Sequence, residues 1–232
     1  AAEIEEICVG SNTLSYDDYI DCRKFNLLLV IFYNDGIFSA LVKLFRQLDI
    51  SPFRWLELMM SLPMPNSLIE LIDEFLKDTH GELWDYKNDL LDFTQETGVI
   101  QRYIDGEIGN NLLYVYRTRA ITEHLDSLKD LARHAASSTL EEAEKNDIAT
   151  MEFVDNALMY QSMRLCNIFH KRNDVPRAKL NYDLIGFEKE RTPKKFGEYK
   201  FETPRMFDFV LDQEQEDLIS RYLSTFGSST TG

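Results

Sequence analysis

The chain has 232 residues, 44% hydrophobic and 28% charged, which supports a sizeable core and excludes disordered, collagen-like and low-complexity classes. Its longest uninterrupted apolar run, Leu27 to Tyr33, is seven residues, against the roughly 20 that a membrane-spanning helix needs. With 25 Lys or Arg against 40 Asp or Glu, the net charge is −15, so nucleic acid is not an expected partner, and the short apolar runs make a membrane none either. Three scattered cysteines, Cys8, Cys22 and Cys166, make no disulfide framework and read as reduced thiols of a cytoplasmic protein.

No basic and apolar leader follows Ala1. Ile4, Ile7 and Val9 suggest a short strand of period two within residues 1–14. A strand needs a partner. The economical reading is that this segment continues a domain lying upstream. The alternative is an edge strand that pairs with a later hairpin.

Helices are expected from residue 15 to residue 170. Ser15 with Asp18 is a capping box opening a helix from Tyr16 to Asn34, which Asp35-Gly36 ends. A second helical stretch covers Ile37 to Leu48. Ser51 and Pro52 open a third that reaches Met60. After the breaks at Pro63 and Pro65, Asn66 starts a helix that Gly81 ends. Leu83, Trp84, Leu90 and Leu91 mark the next, closed by Gly98. Two long helices then follow from apolar residues at helical spacing, Ile108 to Leu131 and Ile148 to Phe169, with an interruption expected at Ser137-Ser138-Thr139. No fixed repeat is present. Short connections favour antiparallel neighbours, so the fold class is mainly α, an antiparallel helical bundle.

The character changes after residue 170. Residues 171–205 carry ten Lys or Arg and six Asp or Glu, net +4, which leaves −19 on the rest. Leu180, Tyr182 and Leu184 alternate, as do Tyr199 and Phe201, so residues 171–211 read as a basic hairpin or extended arm. Asp212 and Gln215 suggest a capping box for a final helix, Gln213 to Phe226, before a flexible tail over 227–232.

Catalytic motifs are sparse. None of His80, His124, His134 and His170 has a glutamate three residues before it, so no di-iron Glu-x-x-His pair exists. Asp126, Asp130 and His134 share a helix face in a pattern that suits a divalent cation, but an ordinary solvated face explains it better. Cys166 on an apolar helix reads as a buried structural thiol. The neighbours Arg23 and Lys24 do not face Cys22. Gly106 and Gly109 lack the rest of any phosphate-binding fingerprint. No catalytic, cofactor-binding or metal-ligating residue is therefore assigned. The one charge anomaly is Lys189, Arg191, Lys194 and Lys195, suited to docking an anion or an acidic partner. Attraction of this arm to its own acidic bundle is the simpler explanation.

The opening Glu5-Glu6-Ile7-Cys8-Val9-Gly10-Ser11-Asn12-Thr13-Leu14-Ser15-Tyr16-Asp17-Asp18, with Arg23-Lys24-Phe25 leading into an apolar helix ending Tyr33-Asn34, resembles the segment that follows the barrel in cobalamin-binding radical SAM proteins. There the pattern is an acidic pair, Ile-Val-Val, a polar turn, Met-Ser and an acidic pair opening a long helix. The resemblance covers about the first 35 residues; beyond Gly36 only a similar all-helical character remains. It implies a parent enzyme with a cobalamin domain and a barrel whose 4Fe–4S cluster cleaves S-adenosylmethionine. The cluster motif Cys-x-x-x-Cys-x-x-Cys and the cobalamin motif Asp-x-His-x-x-Gly are both absent here, so no catalytic residue carries over. The resemblance implies an accessory C-terminal domain that covers the barrel or shapes a substrate pocket, with the upstream domains as its partners. The competing expectation is an autonomous all-helical protein-interaction module.

Overall fold

The computed structural model describes residues 5–34, 36–169, 175–211 and 213–226. The fold is mainly helical, with a small two-stranded antiparallel sheet near the C-terminus. Helix α1 spans Tyr16–Leu29 and runs on as a π-helical turn, Val30–Asn34. The Ser15 capping box forms: the Ser15 hydroxyl accepts from the Asp18 N–H, and the Asp18 carboxylate accepts from the Ser15 N–H at 2.8 Å. Gly36, at φ +66°, turns the chain. Helices α2 (Ser39–Gln47), α3 (Pro52–Ser61) and α4 (Asn66–Gly81) follow as expected, with Ser51 capping α3 through the Phe53 N–H.

Three expectations in the middle of the chain are revised. Leu83 and Trp84 precede the next helix, which splits into α5 (Lys87–Gln95) and α6 (Val99–Ile104); Gly98, at φ +89°, starts α6 rather than ending a helix. The apolar run from Ile108 to Leu131 is not one helix. It is α7 (Leu112–Glu123) and the start of α8 (Leu125–Glu142), hinged at His124, whose ψ of 26° leaves the helical region. A one-residue hinge keeps the apolar stripe in phase, so periodicity alone does not reveal it. Ser137, Ser138 and Thr139 lie inside α8, where the Thr139 hydroxyl donates back to the Ala135 carbonyl at 2.7 Å. The chain instead reverses after Glu142, with Glu144 in the left-handed region, before α9 (Ile148–Phe169).

The core is organised around Trp55 of α3. Its indole is fully buried, lies 5.6–6.1 Å from the rings of Phe32, Phe38 and Phe45, and donates Nε1–H to the Ala132 carbonyl at 3.1 Å. Ala132, Ala135 and Ala136 are fully buried on α8, and their small side chains let α3 and α9 approach closely. Burying each large apolar side chain contributes about 1.5–3 kcal/mol.

Strands β1 (Arg177–Tyr182) and β2 (Lys200–Asp208) pair antiparallel from Arg177↔Asp208 to Tyr182↔Lys200. They are not joined by a tight hairpin turn. The connection holds α10 (Leu184–Lys189), capped by Asp183, and a 3₁₀ turn, Phe196–Tyr199. Leu184 therefore opens a helix instead of extending the strand. The last part of the expected arm, through Asp208, belongs to β2, and α11 (Gln213–Phe226) closes the described chain. No strand forms over residues 5–10, which have no paired neighbour. Residues 1–4, Asp35, residues 170–174 with His170 and the expected start of the basic arm, Asp212, the expected tail at 227–232, and the side chain of Cys166 lie outside the described residues.

The arm lies on its own bundle. Ala178, Leu180 and Tyr182 face α9, and the Phe153 ring of α9 meets Tyr182, Phe187 and Phe196 edge-on at 4.9–5.3 Å. The polar contacts run mostly opposite to simple charge attraction. Lys43 of α2 donates Nζ to the carbonyls of Phe187, Glu188 and Glu190 at 2.6–2.9 Å. Glu188 of the arm accepts from Ser39, from Tyr160 at 3.2 Å and from Arg164 at 3.0 Å. Among the described residues, only Lys200 with Glu152, at 2.6 Å, pairs a basic arm residue with an acidic bundle residue.

Candidate functional site

Residues 82–111 form an excursion that carries little of its own core. Helix α5 buries no residue, and α6 buries only Val99. Among the described residues, α5 makes its extensive helix contact with α6 alone. Among the described residues, six of the eighteen large exposed hydrophobic residues fall between positions 84 and 104: Trp84, Tyr86, Leu91, Ile100, Tyr103 and Ile104. Tyr86 and Ile104 are 70% and 71% exposed. Such a concentration on one short excursion makes it the candidate interaction surface, whereas scattered exposed apolar residues need no explanation.

Local chemistry holds the excursion in shape. The Trp84 and Phe93 rings lie 5.1 Å apart. Gly109, at φ +79°, sits against the Tyr103 ring so closely that a Cβ there would fall 2.5 Å from it. The residues interleaved with the apolar face are acidic: seven Asp or Glu against Lys87 and Arg102 over residues 82–111, a net of −5. Arg102 is itself paired with Glu107 at 3.2 Å.

The opening of the chain meets the same end of the bundle. The Tyr16 hydroxyl at the start of α1 lies 2.6 Å from His80 Nδ1 at the end of α4. Burial pushes the Glu82 carboxyl up, opposed by the nearby Arg23 cation and reinforced by Asp78. Residues 5–14 are irregular. The Ser11 hydroxyl accepts from the Thr13 and Leu14 N–H groups, and Ile7 is 53% exposed. The segment that carries the family resemblance and the apolar excursion thus share one end of the molecule.

The cationic loop is built differently. Lys189, Arg191, Lys194 and Lys195 are all exposed, and their charged groups have no ion-pair partner among the described residues. The backbone beneath them is pinned. Gln47 donates Nε2 to the Lys194 carbonyl at 2.5 Å and accepts from the Phe196 N–H, while the Tyr199 hydroxyl accepts from the Lys194 N–H and donates to Glu190 at 2.5 Å. The arm docks through its backbone, its apolar side chains, Glu188 and Lys200, and these four cations face solvent instead of the acidic bundle.

The remaining residues singled out in the sequence do not converge. Asp126 pairs with Lys129 at 2.9 Å and is 92% exposed at its side chain; Asp130 and His134 are exposed. No group of three His, Cys, Asp or Glu fit to hold a metal occurs among the described residues. Cys8 and Cys22 are exposed free thiols. Gly106 and Gly109 serve the turn between α6 and α7. An open cleft of about 280 Å³ between the end of α1 and α3 is lined by Leu29, Tyr33, Ser51, Pro52, Phe53 and Leu56, a lining without an acid–base pair. Among the described residues, no single helix is long and apolar enough to cross a membrane.

Leu83, Trp84, Leu90 and Leu91 read in sequence as the apolar residues of one helix closed by Gly98, and that pattern does not say whether the face is covered. A signal was present: three of the ten glycines, Gly98, Gly106 and Gly109, fall within the excursion and break the periodicity. No protein-family model, curated protein or solved structure matches this chain.

Proposed function

We propose that this chain is the C-terminal accessory domain of a cobalamin-dependent radical SAM enzyme. It covers the catalytic barrel or completes its substrate pocket, and performs no catalysis by itself. Cluster, S-adenosylmethionine and cobalamin belong to the parent's other domains. The resemblance of residues 5–34 motivates the reading. The observation that carries it is the apolar face of α5 and α6 at the end of the bundle where that segment lies. A domain that covers another needs an apolar contact surface there.

Reading the genome upstream of the Ala1 codon tests the proposal. An open frame carrying Cys-x-x-x-Cys-x-x-Cys is expected. A start codon at that position with no such motif in frame overturns it and leaves the autonomous interaction module. Reconstitution of the isolated chain with iron and sulfide is expected to give no cluster absorbance, and a stable stoichiometric cluster would also overturn it.

A further inference from the structure

We infer that the α5–α6 face docks a helix whose apolar stripe is flanked by Lys or Arg. This deepens the docking reading above. It rests on that reading for which polypeptide supplies the helix, but not for the chemistry of the contact.

Two features select this occupant. Trp84 and Tyr86 lie just before α5, Leu91 on α5, and Ile100, Tyr103 and Ile104 on α6; all six are exposed, and aromatic and branched side chains of this kind act as anchors when a partner covers them. The acids interleaved with them, Asp85, Asp89, Asp92, Glu96 and Asp105, make no ion pair among the described residues, and Arg102 is occupied by Glu107. An occupant must therefore match an apolar strip and an anionic margin together. A second copy presenting the same net −5 surface meets like charge across a two-fold contact, which disfavours self-association. An acidic or purely apolar helix leaves the margin uncompensated.

The test titrates the full chain with three synthetic peptides of about 18 residues and follows binding by calorimetry and tryptophan fluorescence. One has Leu at helical spacing with Lys elsewhere, the second has Glu in place of Lys, and the third is the Leu/Lys composition scrambled out of helical phase. Binding of the first only is expected. The Tyr86→Ser and Ile104→Ser variants should each weaken it about tenfold, as loss of an anchor does. Ile148→Ser, at a 91% exposed position on α9, should leave it unchanged. Equal binding of the scrambled peptide would show attraction to net charge alone and overturn the inference, as would insensitivity to both face variants or a preference for the Leu/Glu peptide. Melting curves of the variants check folding, and since Tyr86 and Ile104 are largely exposed they should match the parent chain. Failure here with the cysteine motif found upstream would overturn this inference and leave the accessory-domain reading standing.

Discussion

Tyr16 and His80 share a 2.6 Å hydrogen bond that ties the first turn of α1 to the last turn of α4, 64 residues away in sequence. The rings are 5.4 Å apart, so the contact also has an apolar component. It sets where the opening segment leaves the bundle relative to α5. Tyr16→Phe keeps the ring and removes the bond. The expected cost is about 1 kcal/mol or less, because both groups are partly solvated. Hydrogen exchange should quicken in the first turn of α1 while the Trp55 core stays protected. Unchanged exchange at that turn would show that the bond does not anchor it.

The Asp18 carboxyl is held below its ordinary range, first by the Ser15 hydroxyl and then by the Ser15 backbone N–H. A depressed carboxylate stabilises the fold above its unfolded pKa, and that contribution is lost as pH falls through the lower folded value. Asp18→Asn should therefore lose part of the acid dependence of stability below about pH 4. Urea melts from pH 3 to pH 7 measure this, and an identical pH profile for the variant would contradict it.

Lys43 gathers three carbonyls at the end of α10, where helix carbonyls otherwise lack donors. Lys43→Met keeps the apolar stem and removes the charge. It should destabilise the arm by about 2 kcal/mol, the range for hydrogen bonds to a charged group. Limited proteolysis should then cut residues 190–196 before the bundle. Resistance equal to that of the parent chain would show that apolar packing alone holds the arm.

Tyr160 and Tyr182 are each pushed up to about 12, chiefly by burial and next by the neighbouring Glu188 and Glu152. Raised tyrosine values stabilise the fold fully below the unfolded pKa near 10, and this is lost as pH rises through about 12. Melting temperature should fall from about pH 10 upward. Tyrosinate absorbance should show a late-titrating class that Tyr160→Phe and Tyr182→Phe each diminish. A single transition near pH 10 would refute the assignment.

Trp55→Phe removes both indole volume and the donor to the Ala132 carbonyl. A cost of roughly 2–4 kcal/mol is expected from the cavity and the lost bond together. Denaturant unfolding with an unchanged slope checks it, and a loss under 1 kcal/mol would mean that the site collapses around the smaller ring.

The sequence by itself determined the elements whose signals are local. Ser15 with Asp18, and Ser51 with Pro52, begin helices because a side-chain oxygen and a missing N–H satisfy or avoid the first unpaired donors. The helical stripes of Asn66–Gly81 and Ile148–Phe169 were legible in the same way, and with them the mainly α class. Only the tertiary structure decided the rest. The His124 hinge is silent in the periodicity because a one-residue break keeps α7 and α8 in phase. The direction of the arm contacts, with Glu188 held by the bundle and the Lys189–Lys195 cations left in solvent, depends on which atoms meet after apolar docking and not on summed charge. The α5–α6 face reads as core because hydrophobicity marks what is able to be buried. Whether a neighbour covers it is a property of packing, and here among the described residues none does.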